Sequence, residues 1–242
     1  MAEPLSPLPP APAPSPPVRI LLVDDQALMR VGIRTILDAQ PDLEVVGEAA
    51  DGRQAVSEAA RLRPDVICMD VQMPGMDGLE ATRRIVADPS ITSAVLMLTT
   101  FHNDEYLLQA LRAGASGFLL KNSRSEQLID AVRSVAAGDG LLAPEVTRSV
   151  IARALEARPA DGPPAGGEPP RAFRTLTDRE VEVFELVARG FANDEIAAHL
   201  VLGRATVKTH VSNVLMKLQL RDRVQAVVYA YEHGIVHPGE GS

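Results

Sequence analysis

Short apolar runs recur along the first half of the chain, and each is followed by a stretch in which apolar residues return at helical spacing. The runs are VRILLV (18–23), LEVVGEA (43–49), DVICMD (65–70), SAVLMLT (93–99) and GFLLK (117–121). Candidate helices fall near 27–39, 53–62, 78–87, 104–113 and 126–137. Acidic residues stand where first turns should lie: Asp104 and Glu105 in one helix, Glu126 just after Ser125 in another. Gly114 and Gly138 stand where helices should stop. Five strand–helix alternations predict a parallel sheet covered on both faces, and runs that are apolar throughout predict strands buried on both sides.

The pattern changes after residue 137. Gly140 to Arg158 opens with LLAP and then reads as one more helix, from Glu145 to about Ala157. Residues 158–170, RPADGPPAGGEPP, read as a linker that lets two domains move relative to each other. Residues 171–237 are helical throughout by pattern. Thr177 and Glu180 form a capping box, with Leu176 and Val181 as its hydrophobic staple, and that helix should end at Gly190. Asn193 is placed to cap the next helix, which runs to about Leu200. Val201-Leu202-Gly203 is a short turn, and a third helix runs from Arg204 to about Leu218. Asp222 caps a fourth, with Gln225 at its third position, ending near Gly234. Two short helices joined by a three-residue turn make a helix-turn-helix. The domain reading is therefore a Pro-rich tail (1–17), an α/β domain (18–137), a connecting helix and linker (138–170) and an all-α domain (171–237).

Composition narrows the class. Residues 1–17 hold 8 of the 19 prolines, which predicts a disordered, partly extended tail without a function of its own. The N-terminus lacks a basic flank followed by a long apolar stretch, so no signal peptide is expected, and no apolar run reaches the roughly 18 residues of a membrane span. The one cysteine, Cys68, lies inside an apparent strand, which excludes a disulfide framework and predicts a buried, inert thiol. A cytoplasmic protein is expected. The net charge of −8 argues mildly against nucleic acid, but all of it lies in the first 170 residues. Gly203 to Arg221 contains no acid and carries Arg204, Lys208, Lys217 and Arg221, a basic window in an acidic chain.

The candidate chemistry sits at strand ends. Asp24 and Asp25 close the first run and Asp70 closes the third, followed by a turn rich in Pro and Gly. Carboxyl ends of parallel strands are where ligands bind in open α/β sheets. Three carboxylates together require a cation, and hard oxygen ligands suit Mg²⁺. Asp70 is the candidate phosphoryl acceptor, because an acyl phosphate is labile and such transfer needs positioning and charge neutralisation more than covalent help. Asp24 and Asp25 would hold the metal. Lys121, just past the fifth strand, would pair with phosphoryl oxygens, and Thr99, ending the fourth, would donate its hydroxyl.

These residues carry a resemblance. The acidic pair, the DVQMPGMDG loop, the LTT segment and GASGFLLK make residues 18–137 resemble a bacterial two-component receiver domain. With 171–237 the chain is similar to response regulators of the NarL/FixJ class, which end in a LuxR-type helix-turn-helix. The resemblance implies a flavodoxin-like receiver with five parallel strands and helices on both faces. It also implies a partner histidine kinase that phosphorylates Asp70 with Mg²⁺, the Gln72 backbone carbonyl joining the metal set. Thr99 and the aromatic Phe118 would act as a switch pair: Thr99 bonds a phosphoryl oxygen, Phe118 turns into the vacated space, and a two-state face is biased by local charge. Gln72 and Phe101 would border the phosphoryl group, Phe101 hindering an attacking water. Asn122 follows Lys121 where many receivers have Pro.

The third effector helix divides as a DNA reader should. Val207, Val211, Val214, Leu215 and Leu218 form one stripe that packs inward. The opposite arc offers Thr206, Thr209, Ser212 and Asn213 to a major groove, with Arg204, Lys208 and Lys217 toward phosphates of double-stranded DNA. His210, beside the stripe, reads as a packed, hydrogen-bonded histidine. Gly203 is a weaker cap than the family's usual Ser, and Asp194 stands where a base is common. The fourth helix carries Val224, Val227, Val228 and Tyr231, and the family uses this helix to form dimers, which would match two half-sites. The family's unphosphorylated receiver often covers the recognition helix. Two alternatives remain at this point. An aspartyl-phosphate enzyme would need a second carboxylate where Gln72 stands and a capping segment, neither of which is evident, so a non-enzyme is expected. A helix-turn-helix that has lost DNA and binds protein is the other.

Overall fold

The computed structural model describes residues 16–100, 109–138 and 172–236. The expected Pro-rich tail, the helix start at 104, Phe101, the helix from Glu145 and the linker lie outside the described residues, apart from the ends of the tail and linker ranges. The first domain alternates β1 (Val18–Val23), α1 (Ala27–Asp38), β2 (Leu43–Ala49), α2 (Gly52–Leu62), β3 (Val66–Asp70), α3 (Gly78–Ala87), β4 (Ala94–Thr99), a helical segment at 109–112, β5 (Gly117–Leu120) and α4 (Ser125–Ala136). All five strands are parallel, in the order β2-β1-β3-β4-β5.

The pleat sorts alternate residues of each strand to opposite faces. Leu21, Val23, Ile67, Met69, Val95 and Met97 meet Ala55 and Ala59 of α2 and Leu79 and Ile85 of α3. Ile20, Leu22, Val66, Cys68, Leu96 and Leu98 meet Ile33 and Leu37 of α1 and Leu128 and Val132 of α4. Both faces are thus covered, as the apolar runs require. Cys68 is fully enclosed, and burial pushes its thiol up to about 12, so it stays protonated and inert. Gly114 and Gly138 end their helices at φ +94° and +74°, the left-handed conformation glycine adopts without cost. Ser125 is already helical, so α4 starts one residue before the expected Glu126.

The second domain holds a 3₁₀ turn (Phe173–Thr175) and α5 (Asp178–Ala188), α6 (Asn193–Leu200), α7 (Arg204–Leu218) and α8 (Arg223–Glu232). The expected capping box closes α5. Thr177 Oγ1 accepts from Glu180 N at 3.3 Å, and Glu180 Oε2 accepts from Thr177 N at 2.7 Å. Phe184 anchors the core, edge-on to Phe173 and Tyr229 at ring separations of 5.5 and 6.3 Å. One cap is corrected. Asn193 is the first helical residue of α6 and not its cap, because its Oδ1 accepts from the Arg223 guanidinium at 2.9 Å, tying α6 to α8. Among the described residues no helix is long and apolar enough to cross a membrane.

Candidate functional site

The order of strands reverses between β1 and β3, which leaves a crevice above their carboxyl ends. Asp24 and Asp25 follow β1, and Asp70 ends β3. One carboxylate oxygen from each lies within 4.8 Å of the others. Asp24 and Asp70 are buried, while Asp25 faces solvent. Lys121, the residue after β5, reaches across with its ammonium 2.7 Å from Asp24 Oδ2 and 2.8 Å from Asp70 Oδ2. Its backbone N–H donates to the Thr99 carbonyl at 2.7 Å, so the ends of β4 and β5 are fastened together at the rim. Thr99 is buried at the end of β4, and Phe118 is half-buried against the core face that holds Met69 and Met97. The rim therefore gathers Asp24, Asp25, Asp70, Thr99 and Lys121, as the sequence pattern anticipated.

Charge governs this cluster. Burial pushes the Asp70 carboxyl above the usual carboxylate range, opposed by the hydrogen bond and charge of Lys121. Burial alone would lower the Lys121 ammonium. Its hydrogen bonds to Asp24 and Asp70 outweigh that and raise it, so it stays charged at neutral pH. Asp24 Oδ1 accepts from Gln26 N at 2.8 Å, and its buried Oδ2 has the Lys121 ammonium as its partner. Three carboxylates clustered around one ammonium leave an excess of negative charge on hard oxygen donors, which fits a divalent cation. Gln72 N reaches Asp70 Oδ1 only at 3.4 Å, a weak contact.

The turn after Asp70 had a constraint that the motif alone did not disclose. A Cβ at Gly78 would lie 1.9 Å from the Asp70 carbonyl oxygen, so only glycine lets α3 start this close to the acceptor. Gly78 N donates to Val71 O at 3.0 Å, and Asp77 caps α3 through Glu80 N at 2.7 Å. The DG pair at the end of the loop carries that signal. Among the described residues there is no cis peptide, so Lys121–Asn122 is trans.

In the second domain, α7 buries Val207, Val211, Val214 and Leu218 and half-buries Leu215. Its other side exposes Arg204, Thr206, Lys208, Thr209 and Ser212, with Asn213 half-buried. Two assignments change. Lys217 is half-buried: its ammonium lies 2.6 Å from Glu180 Oε2, the carboxylate that also caps α5. Burial would raise the Glu180 carboxyl, but Lys217 and Thr177 together hold it below its ordinary range. Lys217 therefore ties α7 to α5, and its ammonium is already paired. His210 Nδ1 is buried with no hydrogen-bond partner, so the expected bonded histidine is packed but not bonded there. Asp194 pairs with Arg204 at 3.2 Å on the surface, which partly neutralises that cation. Val224 and Val227 are buried already, Val228 is half-buried, and the Tyr231 side chain lies outside the described residues.

The family described as response regulator receiver domain matches residues 20–133, and that described as bacterial regulatory proteins, luxR family, matches residues 174–230. The response regulator protein VraR of Staphylococcus aureus (strain Mu3 / ATCC 700698) is 40% identical over 220 residues, covering 90% of this chain and 99% of the relative. The chain belongs to the response regulators that join a receiver to a LuxR-type helix-turn-helix. Solved structures agree. A two-component response regulator of the LuxR family from Aurantimonas sp. SI85-9A1 shares 32% identity over 57% of this chain and 99% of that one, with a TM-score of 0.53. The receiver domain of the putative response regulator NarL from Mycobacterium tuberculosis shares 35% over 51% and 99%, with a TM-score of 0.50. As a member of this family the chain is a phosphorylation-dependent transcription regulator and not an enzyme.

Proposed function

We propose that Asp70 is the phosphoryl acceptor and that a partner histidine kinase is the donor. An Asp70 oxygen attacks phosphorus, the bond from phosphorus to the kinase imidazole breaks, and an acyl phosphate forms. The observation that carries this reading is the Lys121 ammonium set between Asp24 and Asp70 at 2.7 and 2.8 Å, beside a third carboxylate. Mg²⁺ held by Asp24, Asp25 and Asp70, with the Gln72 carbonyl, would neutralise charge developing on the phosphoryl oxygens. Lys121 then exchanges a carboxylate partner for a phosphoryl oxygen, and Thr99 donates its hydroxyl. Phe118 follows into the space Thr99 leaves.

The rim also offers the donor a place to dock. A groove of about 250 Å³ beside Lys121 is lined by Leu28, Met29, Ile33, Leu119 and Leu128, and Leu28 on its edge is 85% exposed. An apolar groove next to the acceptor suits a kinase helix that must bring its histidine to Asp70. For DNA, α7 presents Arg204, Thr206, Lys208, Thr209, Ser212 and Asn213 to a major groove. A homodimer through α8 would set two such helices on two half-sites. The protein acts in the cytoplasm, where kinase and promoter meet. Acetyl phosphate with Mg²⁺ should label the wild type and leave Asp70→Ala unlabelled; label retained on the variant would place the acceptor elsewhere.

A further inference from the structure

The outward line of α7 is less polar than its letters suggest. Ala205, Thr209, Ser212 and Met216 follow one another at spacings of four, three and four, which puts them on one side of the helix, and all four are exposed. The side turned away holds Val207, Val211, Val214 and Leu218, all buried. The described part of the receiver leaves this line uncovered, contrary to the cover expected from the family.

Two observations change what the line offers a duplex. The first is Met216, which is 69% exposed. Of its neighbours one turn away, Ser212, Asn213 and Gln219 are polar and Leu220 is half-buried. A lone thioether side chain is far smaller than a protein-docking patch, which takes on the order of a few hundred Å² of contiguous apolar surface. It is large enough to cover one methyl group. The second is Thr209. Its hydroxyl donates to the Ala205 carbonyl at 3.0 Å within the helix, so what it has left for a base is a methyl group and an acceptor oxygen. Of the four residues only Ser212 keeps a hydroxyl proton to give, and none is an Arg, Asn or Gln that could bond a base edge through two atoms.

The apolar mark of the major groove is the C5-methyl group of thymine. We propose that Met216 reads a thymine methyl at the outer edge of each DNA half-site, with Thr209 meeting another nearer its centre. The inference deepens the DNA-reading arc proposed above and rests on it. Seven residues separate the two side chains, about 10 Å of helix, which is about three base-pair steps for a helix lying along the groove. The turn that carries Met216 is anchored, since the adjacent Lys217 is tied to Glu180 at 2.6 Å and Leu218 is buried. Met216 is uncharged, so it adds base choice without adding attraction to phosphates.

Selection from a randomised duplex library with the full chain, acetyl phosphate and Mg²⁺ supplies the probe. In the duplex the wild type enriches, each thymine is replaced singly by deoxyuridine, which removes the methyl group and nothing else, and binding is titrated. Two such replacements about three base pairs apart in a half-site should each weaken wild-type binding about fourfold, the worth of one buried methyl group. Met216→Ala should lose the sensitivity at the outer thymine alone, with the slope of log affinity against log salt unchanged. Thr209→Ser keeps the hydroxyl that bonds within the helix and should lose the sensitivity at the inner one. Far-ultraviolet circular dichroism confirms that both variants are folded. Equal binding of thymine and deoxyuridine at every position overturns the inference and leaves DNA reading by α7 standing. Full outer sensitivity in Met216→Ala also overturns it, and full inner sensitivity in Thr209→Ser removes Thr209 from it. A wild type that enriches no sequence strikes down the DNA-reading arc itself, and this inference with it.

Discussion

Replacing Lys121 with Met would remove the ammonium between Asp24 and Asp70 while keeping an unbranched side chain of similar reach. At an effective dielectric constant of about 20, unit charges 2.7–2.8 Å apart attract by about 6 kcal/mol. Two such attractions are lost, but so is the several-kcal/mol cost of burying the ammonium, and breaking a buried pair from one side typically costs about 3–5 kcal/mol net. Folding of the receiver should weaken by about that much at pH 7.5 without Mg²⁺. The pH dependence follows from the direction of the Asp70 shift. Burial already raises this carboxyl, and without Lys121 it rises further, so the folded variant binds a proton that the unfolded chain has released. Stability of the variant should therefore fall as pH rises from the ordinary carboxylate range through the raised folded value, and recover on acidification toward that range. If the cluster takes Mg²⁺ as proposed, the ion should restore stability as its concentration passes its dissociation constant, since the unfolded chain lacks the site. With no tryptophan in the chain, urea titrations followed by far-ultraviolet circular dichroism at two pH values, with and without Mg²⁺, give the measurement. An unchanged receiver transition at pH 7.5 without Mg²⁺ would refute the account of Lys121 as the resident counter-charge.

Val201, at the helix-turn-helix corner, holds φ +53° with 91% of its surface exposed. A β-branched residue is strained there by about 1–2 kcal/mol, so Val201→Asn should raise effector-domain stability by about 1 kcal/mol, read as a higher thermal midpoint; a lower one would contradict the strain. Lys208 is exposed on α7, and Lys208→Ala should weaken DNA binding and reduce the slope of log affinity against log salt by about one unit. The same salt slope in both proteins would take Lys208 off the phosphate backbone.

Sequence alone determined the parts whose cause is local. Five largely apolar runs matched five strands to within a residue because a strand between two helical layers must be apolar over most of its length; the edge strand β2 admits Glu44 and Glu48. Gly114 and Gly138 marked helix ends, and Thr177 with Glu180 marked a start, because caps and left-handed turns are satisfied within a few residues. The rim of Asp24, Asp25, Asp70, Thr99 and Lys121 was legible for a related reason: parallel strands must all end on one side, so residues that follow them share an edge. Only the tertiary structure decided the partners that are distant in sequence. Lys217 looks like a surface cation until Glu180, from another helix, is seen 2.6 Å away. Asn193 has the chemistry of a cap until Arg223 claims its side chain. Asp222 reads correctly as a cap, but its second oxygen is spoken for by Ser116, more than a hundred residues earlier. Spacing along a chain constrains what a side chain can do nearby; which distant group meets its remaining lone pair depends on how separately folded surfaces come together.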